Sequence, residues 1–267
     1  MEALKALILG IIQGLTEFLP VSSSGHIELG KALLNFDPGE DILFTIIVHF
    51  ATLLSTVIVF RKDIIEIFKG LFQFKWNEET SFSAKIIISM IPIAIVGVFF
   101  EDQVSALFEG KIALVGGMLL VTALLLYLTQ YAKSVRGEKG EPVGFLNAFL
   151  IGIAQSIAVL PGISRSGSTI ATGLLLGVDK ERIAKFSFLM VLPPILGATI
   201  LKTKEFIESP NPTVELLPLT AGFIGAFIAG WIACVWMINI VKKGKLGYFA
   251  LYCLIVGIIA LILGLAV

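Results

Sequence analysis

Glu17, Ser22, Ser23, Ser24 and His26 fall within ten residues of one another, inside a segment that is otherwise apolar. A carboxylate inside a membrane-embedded helix costs at least about 2.5 kcal/mol on insertion scales, so it has a task or a partner. Gln13 stands four residues before Glu17, which puts both on one helix face and lets them reach one cation or one polar substrate. His26 follows Gly25 at a helix start, and an imidazole that titrates near neutrality suits a nucleophile or an acid-base group. His49, the other histidine, lies in the apolar run FTIIVHFATLL with no carboxylate near in sequence, and reads as a packing or lipid-interface residue.

A second polar break, LPGISRSGST, carries one charge, Arg165, which is the only charge between Glu141 and Asp179. It is bracketed by Ser164, Ser166, Ser168 and Thr169. A guanidinium offers a planar fork to phosphate oxygens and cannot shed its charge to ease burial. Gly162 and Gly167 allow close backbone approach, and amides of a helix starting near Ser168 would add fixed donors for an anion. An Arg165 that only neutralises Glu17 is the structural alternative. Together the two breaks supply a carboxylate, a histidine, hydroxyls and an anion cradle, which implies a lipid phosphate or diphosphate as substrate.

The elements that position these groups are membrane spans. Of 267 residues 57% are hydrophobic and 15% charged, where a soluble domain has about a quarter charged. Lys plus Arg and Asp plus Glu both number 20, so no net field selects a nucleic acid. The N-terminal stretch, with Gln13 and Glu17 and no small-residue cleavage site, reads as mature chain rather than a signal peptide. Cys234 and Cys253 lie apart in apolar stretches and read as packing residues. Six stretches are expected to span a bilayer: 42–60, 86–100, 112–131, 186–201, 216–238 and 248–265. Pro92 and the Pro193–Pro194 pair predict kinks in the second and fourth. Segments 3–35 and 146–177 are broken by Pro, Gly and Ser, and the arms after the breaks, from Ile27 and from Thr169, would reach only about 15 Å as helices. That is too short for a core of about 30 Å, so each segment predicts a re-entrant hairpin. Asp37, Glu40 and Asp41, with Glu28, are expected on a solvated surface.

Laid on itself at an offset of 142, the chain matches without gaps from Ala6/Ala148 to Leu54/Leu196, with 12 identities over 49 positions. These include Gly10/Gly152, Gln13/Gln155, Ser22/Ser164, Ser24/Ser166, Gly25/Gly167 and Phe44/Phe186. The fold expected is an all-α polytopic membrane protein, a single domain of six transmembrane helices and two re-entrant hairpins. Its halves, about 1–135 and 143–267, form an inverted-topology repeat, since a hairpin plus three spans per half forces the inversion. Fourteen basic residues, among them Arg61, Lys62, Lys69, Lys85, Lys180, Arg182, Lys185 and Lys242, fall on one side; Lys5, Lys31, Lys111, Lys202 and Lys204 fall on the other. The excess marks the cytoplasmic side, which puts the C-terminus outside and opens the first hairpin to the outer face.

The motifs resemble those of the undecaprenyl-diphosphate phosphatase family, also called the bacitracin-resistance protein family. The family's Glu/Gln-x-x-x-Glu motif stands here as Gln13 to Glu17 and runs into PVSSSGH, Pro20 to His26; its PGxSRSxxT motif stands as Pro161 to Thr169. The resemblance covers nearly the whole chain. It implies a cell-membrane hydrolase that removes the terminal phosphate of undecaprenyl diphosphate. This recycles the carrier lipid for peptidoglycan synthesis, confers bacitracin resistance, and requires a divalent cation, Mg or Ca. It further implies Glu17 as metal ligand or base, His26 as nucleophile or acid-base group, and Ser23 as alternative nucleophile or phosphate contact. Arg165 with Ser164, Ser166 and Thr169 would be the diphosphate clamp, with Gln13 and Ser22 as further substrate contacts. Partners expected are the lipid diphosphate, membrane lipid and a homodimer, with no nucleic acid. A phosphatase signature with KxxxxxxRP, PSGH and SRxxxxxHxxxD is excluded, because SGSTIATGL after Arg165 lacks its histidine and aspartate. The rival class is a lipid-phosphate flippase or transporter, which is also built from broken helices in an inverted repeat and would use the same Arg165.

Overall fold

The computed structural model describes residues 2–34, 41–100, 103, 104, 106, 107, 111–132, 135, 137–208 and 216–266, with the backbone alone at 41, 42, 202, 205 and 206. The acidic Asp37 and Glu40 and the side chain of Asp41 therefore lie outside the described residues, as do Lys133, Arg136 and the side chain of Lys202. Twelve α-helices are described: α1 (Glu2–Phe18), α2 (Ser23–Leu34), α3 (Asp41–Val59), α4 (Arg61–Leu71), α5 (Glu78–Phe99) and α6 (Ile112–Leu128). The second half has α7 (Phe145–Ile157), α8 (Arg165–Leu175), α9 (Lys180–Met190), α10 (Leu192–Glu208), α11 (Leu216–Lys242) and α12 (Gly247–Ala266). Among the described residues the only β-type pairing is an isolated bridge between Glu141 and Val178.

Five segments are long and apolar enough to cross a membrane: α5, α6 extended to Tyr131, α9 with α10 as far as Leu201, α11 and α12. The sixth is α3 with α4, if a pair bent by 75° at Phe60 counts as one span. The protein is thus an all-α multi-pass membrane protein, as its composition requires. Two boundaries differ from those expected. The span read as 86–100 starts at Glu78, because Asn77 caps the helix by accepting the Thr80 amide and carries it through the polar stretch EETSFSAK. The span read as 186–201 starts at Lys180, capped by the Asp179 carboxylate on the amides of Glu181 and Arg182. Pro92 lies within a continuous α5, whereas Pro193 and Pro194 follow a true break at Val191. There they occupy the first turn of α10, whose amides need no helical acceptor.

The hairpin arms are α1 with α2 and α7 with α8, and the arms after the breaks begin at Ser23 and Arg165, four residues earlier than expected. Helix order repeats between the halves once α9 and α10 together are matched to α3, which leaves α4 without a counterpart. The halves also exchange partners: α1 lies along α11, α7 lies along α5, and α6 packs against α12. Gly10 and Gly152, equivalent in the repeat, make the first two of these contacts close. A Cβ on Gly10 would strike the Gly222 carbonyl and one on Gly152 the Ser89 carbonyl, so a side chain at either would push the helices apart. Such small-residue contacts are how helices associate in lipid, where apolar burial gives little drive.

Basic residues assigned to one side do meet at one end of the bundle. Lys185 pairs with Asp63, Lys242 with Glu181 at 3.6 Å, and Lys85 sits over the Phe145 ring at 5.3 Å. The amphipathic α4, between the expected spans 42–60 and 86–100, belongs to this end. Arg61, Lys62 and Lys69 alternate there with apolar residues, and exposed Phe72, Phe74 and Trp76 follow. Basic residues with aromatics suit a helix lying in the lipid headgroup layer.

Candidate active site

Each hairpin turns through a cap that the repeat has copied. In the first, α1 ends at Phe18 and Ser22 accepts the Gly25 amide on its hydroxyl at 3.3 Å. In the second, Ser164 accepts the Gly167 amide at 3.0 Å. Ser22 and Ser24 hydroxyls lie 3.3 Å apart, and so do those of Ser164 and Ser166. The routes into the caps differ. Ser22 itself sits at φ +70°, whereas in the second break Gly162 takes φ +96° and Ser164 is extended at φ −77°. Gly162 is required twice, since a Cβ there would be strained at that φ and would also meet the Val115 carbonyl. Thr122 of α6 then locks the second turn: its hydroxyl accepts the Ser164 amide at 3.0 Å and lies 3.2 Å from the Gly162 carbonyl as donor. The two breaks touch, with Ser166 Oγ donating to the Leu19 carbonyl at 3.3 Å.

This geometry brings the predicted residues onto one carboxylate. Gln13 Nε2 donates to Glu17 Oε2 at 3.0 Å, and Ser23 Oγ donates to the same oxygen at 2.7 Å. Arg165 forms an ion pair with the other oxygen, Oε1. The Glu17 side chain is 5% exposed and that of Arg165 is 27% exposed, so the carboxylate is enclosed while the guanidinium still reaches open space. Burying such a pair repays its desolvation only with additional hydrogen bonds, which Gln13 and Ser23 supply. Ser23 and Arg165 are the first residues of α2 and α8 and are equivalent in the repeat.

A cavity of about 410 Å³ opens beside this cluster, lined by Glu17, Ser23, Ser24, Ser164 and Arg165. His49, Gln155, Thr45 and Thr199 add polar wall, and Ile93, Val159 and Ile195 add apolar wall. Ser166 and Thr169 face a different space, a cavity of about 20 Å³ shared with Glu17, Thr52, Thr56, Arg165 and Ser187. That volume suits about one water. Thr169 is further tied to Ser187, hydroxyl to hydroxyl, at 2.6 Å. Two of the helix-start amides expected near Ser168 as anion donors are already used, Ser168 on the Ser164 carbonyl at 2.8 Å and Gly167 on the Ser164 hydroxyl at 3.0 Å. Ser22 is buried in its own turn.

The two histidines exchange the places the sequence suggested. His26 holds the Ser22 carbonyl through Nδ1 at 2.8 Å and meets the Tyr252 hydroxyl through Nε2 at 2.7 Å, stacked on that ring. It is absent from the walls of both cavities. His49 lines the larger one, with Nδ1 against the Thr45 carbonyl at 2.8 Å. A carbonyl only accepts, so Nδ1 carries a proton, and in the neutral ring Nε2 is the nitrogen with the lone pair. The signal for His49 was present in the sequence. Thr45, His49, Thr52 and Thr56 recur at helical spacing through an apolar run and form one polar stripe on α3, whose members line the two cavities.

Among the described residues no three His, Cys, Asp or Glu side chains converge as a metal site. Glu17 is the one carboxylate on the cavity wall, and beside it the buried Gln13 Oε1 has no hydrogen-bond partner. That donor set fits a hard cation that brings oxygen ligands with a phosphate substrate, rather than one held in an all-protein cage.

A family model described as "Bacitracin resistance protein BacA" matches residues 6–259. A protein of Christiangramia forsetii named undecaprenyl-diphosphatase is 57% identical over 270 residues, covering 100% of each chain. Proteins of the same name from Bacteroides fragilis and Halothermothrix orenii are 55% and 40% identical, each over 98% of both chains. With its two motifs meeting on Glu17 and the match running almost end to end, the chain belongs to the bacitracin resistance protein BacA family.

Proposed function

We infer that the protein hydrolyses undecaprenyl diphosphate to the monophosphate and inorganic phosphate, returning the carrier lipid to cell-wall synthesis. It is an undecaprenyl-diphosphatase, as its full-length relatives are named. The observation that carries the reading at the level of residues is the Glu17 carboxylate with the Ser23 hydroxyl on one oxygen and the Arg165 guanidinium on the other. A carrier that only moved a lipid phosphate would need no hydroxyl set on a carboxylate, so the flippase alternative is not favoured.

Ser23 is the nucleophile in this proposal. Its oxygen bonds to the terminal phosphorus as the bridging P–O bond breaks, and its proton passes to Glu17 and on to the bridging oxygen that leaves with the monophosphate. Water then attacks the seryl phosphate, releasing inorganic phosphate and restoring the hydroxyl. Arg165 has donors beyond the one on Glu17 and directs them at the phosphoryl oxygens, where fixed charge lowers the barrier most. His49 serves as the acid-base group on the cavity wall, and His26, engaged at both nitrogens, orients the first turn. Ser164 caps and aims Arg165, while Ser166 and Thr169 hold α8 in place rather than touching substrate. A divalent cation, Mg²⁺ or Ca²⁺, would be held by Glu17, Gln13 Oε1 and the substrate's own phosphates, and would supply neutralisation of the diphosphate charge.

The basic end of the bundle supports a cytoplasmic assignment for that face, with the site served from the outer side of the cell membrane and the halves inverted about the bilayer midplane. Phosphate release from a polyprenyl diphosphate by the purified protein, followed by trapping and mapping of the phosphoryl-enzyme, tests the residue assignment. Phosphate found on Ser23 supports it, and phosphate on His26 overturns it.

A further inference from the structure

Gln13 and Gln155 are equivalent in the repeat, yet their surroundings differ in one respect. Gln13 has Glu17 four residues on, and its amide nitrogen donates to that carboxylate at 3.0 Å. The residue four after Gln155 is Val159. Gln155 is 1% exposed, and both its side-chain oxygen and its nitrogen lack any hydrogen-bond partner. The helix that carries Gln155 is held against α5 by the close contact at Gly152, so the amide cannot be withdrawn by moving α7. Gln155 and Val159 both line the 410 Å³ cavity that also holds Ser23 and Arg165.

A buried amide with both ends unpaired is costly, and native proteins retain such a group where a ligand completes it. The repeat indicates what that ligand is. In the first half the same amide is completed by a carboxylate oxygen; in the second the carboxylate has been replaced by an apolar residue facing a cavity. The missing acceptor is an anionic oxygen that arrives from outside the chain.

We propose that Gln155 is a substrate-binding residue whose Nε2 donates to a phosphate oxygen of the bound diphosphate, in the place where Glu17 completes Gln13. This rests on the reading that the cavity takes the diphosphate. The Oε1 end is free for a protonated phosphate oxygen or for a water of the substrate's hydration.

The test uses the full-length protein in detergent or liposomes, with KM for a polyprenyl diphosphate and the inhibition constant of inorganic phosphate as readouts. Gln155→Met, close in shape and without donors, is expected to weaken one or both by about tenfold while kcat falls less. A rise in both assigns the terminal phosphate to Gln155, and a rise in KM alone assigns the lipid-linked phosphate. Neither constant depends on the folded fraction, so a variant that merely folds poorly loses turnover and leaves both unchanged. Unchanged constants overturn the proposal. Arg165→Ala run in parallel separates the two readings. If it abolishes turnover while Gln155→Met keeps wild-type constants, only the Gln155 role is lost. If neither variant departs from wild type, the cavity is not the substrate site.

Discussion

At the position where the first hairpin carries Ser23 the second carries Arg165, and the two side chains take the two oxygens of a single carboxylate. The caps on either side are near copies: a serine hydroxyl on a glycine amide, then a second serine hydroxyl 3.3 Å away. What the copies share is therefore scaffold, and what they do not share is chemistry. Two helix starts meet at one carboxylate, and they differ at matching positions of the sequence, with a hydroxyl on one and a guanidinium on the other. The same pair of matching positions carries Glu17 in the first hairpin and Val159 in the second, and Val159 lines the cavity beside Gln155.

The largest effect should come from breaking the contact between the halves. Arg165→Ala leaves Glu17 buried without its counter-charge, which is expected to cost about 3 kcal/mol of stability and about a thousandfold in turnover. Arg165→Lys should recover stability better than activity, because an ammonium restores the charge but not the fork. Thermal midpoints and phosphate-release rates on the same preparations check both. A turnover loss under tenfold in Arg165→Ala would mean that the second hairpin is only structural.

A smaller effect should come from the lock on the second turn. Thr122→Val removes the hydroxyl that serves both Ser164 and Gly162, and is expected to cost about 1–3 kcal/mol. Its turnover should fall with its stability, since the cap aims Arg165. Among the described residues no hydrogen bond from α6 locks the first turn, so an equal response to a change at the neighbouring Ser22 would blur the distinction.

The smallest and sharpest comparison concerns the histidines. His49→Ala should lower kcat/KM by about 10–100-fold with little change in thermal midpoint, the size expected of an acid-base group. His26→Ala should shift the midpoint, by loss of its bonds to Ser22 and Tyr252, and leave kcat/KM within about threefold. The reverse pattern would return the chemistry to His26.

The all-α membrane architecture, the two hairpins and the pairing of Glu17 with Arg165 were legible because each rests on a local rule: apolar length, helix-breaking residues, or a lone charge in an apolar segment. The helix starts at Glu78 and Lys180 were also local, in the caps Asn77 and Asp179, but polar first turns hid them from a reading by hydrophobicity. The places of the two histidines were not legible for a different reason. His26 is drawn away by Tyr252, 226 residues distant, and no spacing reports such a contact. His49 was judged by its neighbours along the chain, whereas its stripe with Thr45, Thr52 and Thr56 faces residues of other helices. The role of Thr122, 42 residues before Ser164, was likewise invisible until the turn was folded. The amphipathic α4 escapes a search for spans because its charges, Arg61, Lys62, Asp63, Glu66 and Lys69, keep it well short of an apolar run.

The claim that the two hairpins form one site is tested most directly by a double-mutant cycle on phosphate release, using Ser23→Ala, Arg165→Ala and the pair together. Residues that act as a unit in one step lose non-additively. The double variant should therefore be no more than about threefold slower than the worse of the two single variants. If its loss instead equals the product of the single losses, Ser23 and Arg165 work independently and the shared carboxylate does not join them.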